Sequence, residues 1–425
     1  MKRRNFVSGV LKSAVLAGTA YGGGLFAESR SAHSLSILEG DLKISDEEFW
    51  EQVRNLYDLP PGLLYLNNGG CSATPASVFR AETHYRETAR VAPSFYLWRS
   101  QYQERELARV ALADFLSCSQ EEIALLRSTT EALITVIQGL DLPEGSEILT
   151  TSMDYPTVVH SLQMYAKRRG WKLRTIDLQG PLGDQQAILQ RIRERISPET
   201  RFMLISDVLY GTGERMPVRQ ICQMIAGTDI LVAVDGAHTV GQFPVNLEEY
   251  GCHFFASSLH KWLSAPIGTG LLWVKKSQIR SLWPMYGPVE GEEDNIRKFE
   301  HLGTRPIASD LAIRSAIDLT LQIGTERKLA RLQYLTRYWW DQICDLNGIE
   351  PMTHLESRDR YGAIAAFRCP QRKDLLLDHW LLQKKRQIIT RMRDEKGIYF
   401  RVSPHIYTLP RDLDIFVKSV KEYLS

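Results

Sequence analysis

Lys261 sits in Ser258-Leu259-His260-Lys261-Trp262, 26 residues after Asp235 in Val234-Asp235-Gly236-Ala237-His238. The apolar runs Ile230 to Val234 and Phe254 to Ser257 precede the two segments. The acid therefore closes one buried strand, and the lysine lies in a polar turn at the end of the next. That pairing suits pyridoxal 5'-phosphate (PLP). The amine would hold the cofactor as a Schiff base, and the carboxylate would keep the pyridine nitrogen protonated, so that the ring accepts electrons from a substrate carbanion. Neither residue carries this reading alone, because surface lysines and strand-end acids are common.

A PLP site also requires a phosphate cradle. Arg127-Ser128-Thr129-Thr130-Glu131 lies between an expected strand and an expected helix. The hydroxyls of Thr129 and Thr130, with N–H groups at the helix start, form an anion site, or else a simple N-cap with Glu131 as a first-turn acid. Tyr155 follows the strand at 147–151 and could stack on a pyridine ring or simply pack. His238 lies three residues after Asp235, in reach of a phenolic oxygen; without Asp235 it would read as a core histidine. Ser258 and His260 flank the lysine and can donate to a phosphate. Gly303-Thr304 is a further short polar turn.

The elements that must position these residues alternate between strand and helix from about residue 76 to 275, the pattern of an α/β fold with a mostly parallel sheet and covering helices. Strands are expected at 123–126, 147–151, 172–178, 202–206, 230–234, 254–257 and 270–274, and helices at 131–139 and 156–169. The polar residues fall where strands end, which is where open α/β sheets bind ligands. After about residue 310 the pattern changes to one long helix, 311–338, and then a strand-helix region. The expected organisation is an export signal at 1–30, an N-terminal arm at 41–66, a PLP-binding large domain at 67–310 and a small C-terminal domain at 311–425.

The chain has 425 residues, 44% hydrophobic and 24% charged, an ordinary globular composition. A net charge of +2 gives no argument for nucleic acid or an acidic membrane surface as partner. The start differs from the rest: Lys2-Arg3-Arg4-Asn5-Phe6-Val7 precedes an Ala/Gly-rich apolar run, Val10 to Phe26. This reads as a twin-arginine (Tat) export signal, which suits a protein folded around a cofactor before it crosses a membrane. A cut near Ala27 would remove Lys2, Arg3, Arg4 and Lys12 and take the charge from +2 to −2. Beyond it no apolar run is long enough to span a bilayer, so no stable membrane anchor is expected. The six cysteines, Cys71, Cys118, Cys222, Cys252, Cys344 and Cys369, have spacings that suit neither zinc nor a disulfide framework, and most are expected as buried thiols.

Seven segments in order resemble the class V aminotransferase family of PLP enzymes (fold type I), and most closely its isopenicillin-N-epimerase-like branch. They are Tyr65-Leu66-Asn67-Asn68-Gly69-Gly70, Ser128 to Leu133, Asp154-Tyr155-Pro156, Asp235 to Gly241, Ser257 to Trp262, Gly303-Thr304-Arg305 and Arg401 to His405. The resemblance implies a mostly parallel seven-stranded sheet in the large domain and a smaller α/β C-terminal domain. It implies that Lys261 forms the covalent link and shuttles the substrate α-proton. It places Asp235 on the pyridine nitrogen, His238 on the phenolic oxygen and Tyr155 on the ring, with Thr129, Thr130, Ser258 and His260 on the phosphate. Thr304 would reach the phosphate of the other subunit of a homodimer, and Arg401 and Asn68 would bind substrate, Arg401 through a bidentate carboxylate pair.

One departure is Tyr210, at or near a position where many members carry asparagine. The implied substrate is a small amino acid or peptide-like metabolite, epimerised or transaminated in the periplasm. Exported relatives in this branch tailor peptide siderophores such as pyoverdine. A cysteine desulfurase or selenocysteine lyase shares the fold but needs a nucleophilic cysteine shortly before the carboxylate-binding arginine. Asp394 to Phe400 has none, and the nearest upstream is Cys369. An exported binding protein without catalysis is the remaining alternative, against which Lys261 and Asp235 together argue.

Overall fold

The computed structural model describes residues 46–178, 182–287, 290–369, 376–384, 388–393 and 398–425; the proposed export signal lies outside them. Its strands, in chain order, are β1 (Leu64–Tyr65), β2 (Ile123–Leu126), β3 (Glu147–Thr151), β4 (Lys172–Ile176), β5 (Thr200–Ser206), β6 (Leu231–Asp235), β7 (Phe254–Ser258), β8 (Gly270–Val274), β9 (Glu350–Pro351), β10 (Ala365–Arg368), β11 (Ile388–Ile389), β12 (Arg391–Arg393) and β13 (Tyr399–Val402).

Seven of them form one sheet in the order β2-β8-β7-β6-β5-β3-β4. Neighbours from β7 through β6, β5 and β3 to β4 pair in parallel, and β8 runs against both β2 and β7. The near-continuous apolar strands reflect burial on both faces. In β5, Met203 and Ile205 enter one apolar layer with helix residues Leu112, Ile188 and Ile317. Phe202 and Leu204 enter the opposite layer with Leu133, Val136 and Leu162. The period-two alternation of a strand thus feeds two cores, and helices close both faces. Fold type I, a mostly parallel seven-stranded α/β sheet, is the observed architecture.

A four-stranded antiparallel sheet, β12-β13-β10-β9, carries the third apolar layer, where Phe367 and Phe400 meet Trp339 and Phe416 of the helices Thr325–Trp340 and Pro410–Leu424. The first described helix, Glu47–Arg54, is tied to the same helices through Glu47–Arg331 (2.5 Å) and Arg54–Asp412 (2.5 Å). The described residues fall in one compact unit.

Two local expectations are corrected. The single helix over 311–338 is three helices, Ala308–Leu311, Ile313–Ile323 and Thr325–Trp340. Gly324, at φ 89°, breaks the last two apart in a backbone region that side-chain-bearing residues avoid. The helix expected from Glu131 begins at Thr129, because Ser128 is its N-cap and accepts the Glu131 N–H at 3.2 Å.

Candidate active site

The carboxyl ends of β6 and β7 deliver the two residues that chemistry requires. Asp235 is the last residue of β6, is 6% exposed and accepts the Ala237 N–H at 2.9 Å. Burial pushes its carboxyl from 3.8 up to about 6, opposed by that N–H and by the Lys261 charge. The next strand, β7, ends at Ser258, and the turn after it presents Lys261 with Nζ 3.4 Å from His238 Nε2.

His238 has a defined orientation. Trp262 Nε1 donates to its Nδ1 at 3.3 Å, so Nε2 is the nitrogen that carries the proton of the neutral ring and faces Lys261. Trp262 is itself held from behind. The His405 ring stacks on it at 5.8 Å with an interplanar angle of 2°. The buried Lys328 donates to its carbonyl at 2.5 Å, and burial lowers that amine to about 7.

The expected phosphate-holding residues meet at the junction of β2, the helix Thr129–Gly139 and β7. Ser258 Oγ accepts the Thr129 N–H at 2.9 Å and lies 2.8 Å from Thr129 Oγ1. Gly270, the first residue of β8, makes this approach possible, since a Cβ there would lie 2.7 Å from the Ser128 backbone. His260 pairs Nδ1 with the Thr269 carbonyl at 2.9 Å, and burial, with the Lys261 charge adding to it, holds the ring below its ordinary pKa.

Tyr155 is fixed by its neighbour. Buried Asp154 bridges β3 and β5, with Oδ1 accepting from Ser206 N (2.8 Å) and Oγ (2.7 Å) and Oδ2 from Thr151 N (2.6 Å) and Thr150 Oγ1 (2.9 Å). Tyr155 then opens the helix Pro156–Arg169 and meets Tyr210 edge to face at 5.3 Å. On the opposite wall Arg401, on β13 and 1% exposed, donates to the Tyr210 carbonyl at 2.8 Å and to Asn67 Oδ1 at 3.0 Å. Its guanidinium lies against Gly69, where a Cβ would sit 3.1 Å from Cζ.

One cavity of about 200 Å³ gathers Thr129, Thr130, Tyr155, Asp235, His238, Ser258, His260, Lys261 and Arg401, together with Tyr210. Asn68 and Thr304 do not line it, and Thr304 was expected at the other subunit's site rather than here. Asn68 is fully buried behind the wall, donating to the Ser403 and Tyr65 carbonyls and accepting from Tyr407; Gly69 and Gly70 line the cavity instead. Thr304 lies in an exposed loop and lines a different cavity with Trp98, Tyr102 and Glu300. Asp154 and Trp262 stand within the resembling segments but were given no role there, and no local motif marks Lys328.

The donor set fits PLP: a buried carboxylate for a ring nitrogen, an amine for an aldehyde, hydroxyls at a helix N-terminus for a phosphate and a guanidinium for a carboxylate. Among the described residues no cysteine lines the cavity. Cys71, half-buried nearby, has its thiol pushed up by burial against the opposing charge of Lys261.

Residues 64–392 match the family model described as aminotransferase class-V. The chain is 29% identical over 393 residues to an isopenicillin N epimerase of Amycolatopsis lactamdurans, covering 88% of this chain and 98% of that protein. It is 29% identical over 309 residues to a cysteine desulfurase of Haloferax volcanii, covering 68% and 71%. Among solved structures it resembles a C-DES variant with glycine covalently linked to its PLP cofactor, with a TM-score of 0.76, 21% identity and coverage of 86% and 98%.

Proposed function

The chain belongs to the class-V aminotransferase family, and from that premise we propose that it is a PLP enzyme acting at the amino-bearing carbon of an amino acid or peptide-like metabolite, by epimerisation or transamination. The observation that carries this reading is the convergence of Lys261, His238, Asp235 and the Thr129 helix start on one cavity. Full-length similarity to an epimerase supports it.

When bound, PLP withdraws electrons from the carbon that bears the substrate nitrogen and so acidifies its C–H bond. The chain's own residues do the rest. Asp235 supplies the negative charge that keeps a proton on the ring nitrogen. Lys261 would anchor the cofactor and, as the freed amine, would take the proton from the carbon and redeliver it. His238, whose Nε2 lies on the Lys261 side of the ring, would donate to the phenolic oxygen of the bound cofactor. Thr129, Thr130, Ser258 and His260 would hold the phosphate, Tyr155 would cover the ring, and Arg401 would take the substrate carboxylate. A desulfurase reading is disfavoured, because the chain just before Arg401 contains no thiol and the nearby Cys71 is held in its protonated form.

The active unit is a homodimer in this reading. Exposed Phe95, Trp98, Tyr102 and Trp283 support it, being 49–64% exposed as single-chain residues. Thr304, beside Trp98 and Tyr102, would then serve the partner's phosphate. The twin-arginine start supports export to the periplasm, and the peptide-siderophore role rests on the resemblance of this exported chain to that branch. No helix among the described residues is long and apolar enough to cross a membrane.

The reading is tested by incubating the protein with amino acids and dipeptides in D₂O and following α-proton loss by NMR. Exchange that depends on Lys261 supports it, and exchange equal in a Lys261→Ala protein contradicts it.

A further inference from the structure

A second cavity, of about 230 Å³, lies on the far side of Tyr210, which lines both. Its wall includes Met153, Met352, His354, Arg368 and Tyr399. The register of the four-stranded sheet explains why. Ala366 of β10 faces Arg401 of β13, and Phe367 faces Phe400. Arg368 lies two residues beyond Ala366 on β10, and Tyr399 two residues before Arg401 on β13. Side chains two apart on a strand share a face, so Arg401, Tyr399 and Arg368 all stand on one side of this sheet. Arg401 and Arg368 occupy diagonal positions, with backbones roughly 7–8 Å apart.

The loop between the cavities is pinned to that face. A Cβ on Gly211 would lie 2.6 Å from the Tyr399 hydroxyl, and one on Gly213 would lie 2.3 Å from the Ile364 carbonyl oxygen. Thr353 Oγ1 donates to the Thr212 carbonyl at 2.6 Å. The two guanidinium groups therefore sit on a rigid face on either side of a fixed aromatic partition, one with the reacting lysine and one with adaptable thioether side chains.

We propose that the second cavity holds the tail of the substrate, and that the substrate is an amino acid whose chain extends past Tyr210 to a terminal acidic group. Arg401 takes the α-carboxylate, Met153 and Met352 contact the tail, and Arg368 with His354 receives the far carboxylate. Arginine suits both ends because its fork matches a carboxylate bidentately. This inference rests on the PLP-site reading above.

The test compares L-γ-glutamylglycine, which has an amino-acid head and an acidic tail, with L-alanine, which has the head alone. Equilibrium affinities of the holoenzyme are read from titration of the cofactor absorbance. The native protein should bind the dipeptide at least about tenfold more tightly, the scale of one charge-assisted pair. Arg368→Met should bring the two affinities to within about threefold and leave that for alanine unchanged. Met352→Trp, which fills the cavity without removing the charge, should do the same and serves if the first variant does not fold. Equal affinities in the native protein, or a preference kept in the variants, overturns the proposal. The borohydride adduct is mapped in the same preparations. Its absence from Lys261 overturns the parent reading and this inference with it, whereas an intact adduct with equal affinities overturns the subsite alone.

Discussion

Trp262 Nε1 donates to His238 Nδ1 at 3.3 Å, and this single bond decides which face of the imidazole meets Lys261. With Nδ1 used as acceptor, the proton sits on Nε2, 3.4 Å from the lysine amine. The residue next to Lys261 thereby sets the tautomer of the histidine that faces it.

Trp262→Phe keeps the ring packing against His405 and removes the donor. The imidazole is then free to take either tautomer or to protonate. Substrate α-proton exchange should fall by roughly two- to tenfold, in line with the loss of one hydrogen bond of roughly 0.5–1.5 kcal/mol, while cofactor content stays the same. Unchanged exchange would show that the tautomer is fixed by other means.

Asp235 supplies a prediction in which function opposes stability. Burial raises its carboxyl from 3.8 to about 6, so the folded protein without cofactor disfavours the charged form. That penalty is fully present above pH 6, fades as pH falls from 6 toward 4, and is gone only below the unfolded value of 3.8, where the acid is neutral in both states. Asp235→Asn should therefore make the cofactor-stripped protein more stable by roughly 1–3 kcal/mol at pH 8, with the gain disappearing near pH 4. Denaturant unfolding at the two pH values measures it. The same variant, loaded with PLP, should lose α-proton exchange severely, because the ring nitrogen no longer keeps its proton. Lower stability of the stripped variant at pH 8 would show that the carboxylate is not under strain.

Thr304 tests the assembly. Thr304→Ala should weaken PLP retention by roughly tenfold, since a hydroxyl to a doubly charged phosphate is a charge-assisted donor worth roughly 1–3 kcal/mol. Mixing it with Lys261→Ala forms mixed dimers. Acting across the interface, the intact Thr304 of the Lys261→Ala chain restores tight binding at the site that keeps Lys261. Continued weak binding there, or a fully active monomer in solution, refutes the shared site.

The amino-terminal segment is tested in cells. Arg3 and Arg4 replaced together by lysines should leave the protein in the cytoplasm, detected by fractionation. Normal periplasmic recovery of the double variant would mean that export does not depend on the arginine pair.

What the sequence made legible follows from how each feature is encoded. Asp235, His238 and Lys261 were readable because chemistry and strand-end position coincide within short segments, and the inner strands because burial on both faces leaves apolar runs; the edge strand β4, with Lys172, Arg174 and Thr175 exposed, is not such a run. Helix boundaries were less so: Gly324 interrupts an apolar period that otherwise continues through it. Asn68 and Gly69 differ by one residue, yet a turn aims only the second at the cavity, and pattern cannot resolve that choice. Lys328 and Asp154 act on partners 66 and 52 residues away, contacts that exist only after the sheets have closed.

The central claim is that Lys261 carries the cofactor. Reduction of the PLP-loaded protein with borohydride, followed by proteolysis and mass spectrometry, reads it directly. The expected result is a single pyridoxyl adduct on Lys261, absent from Lys261→Ala. An adduct on any other lysine, or none on a protein that retains PLP, would contradict the account.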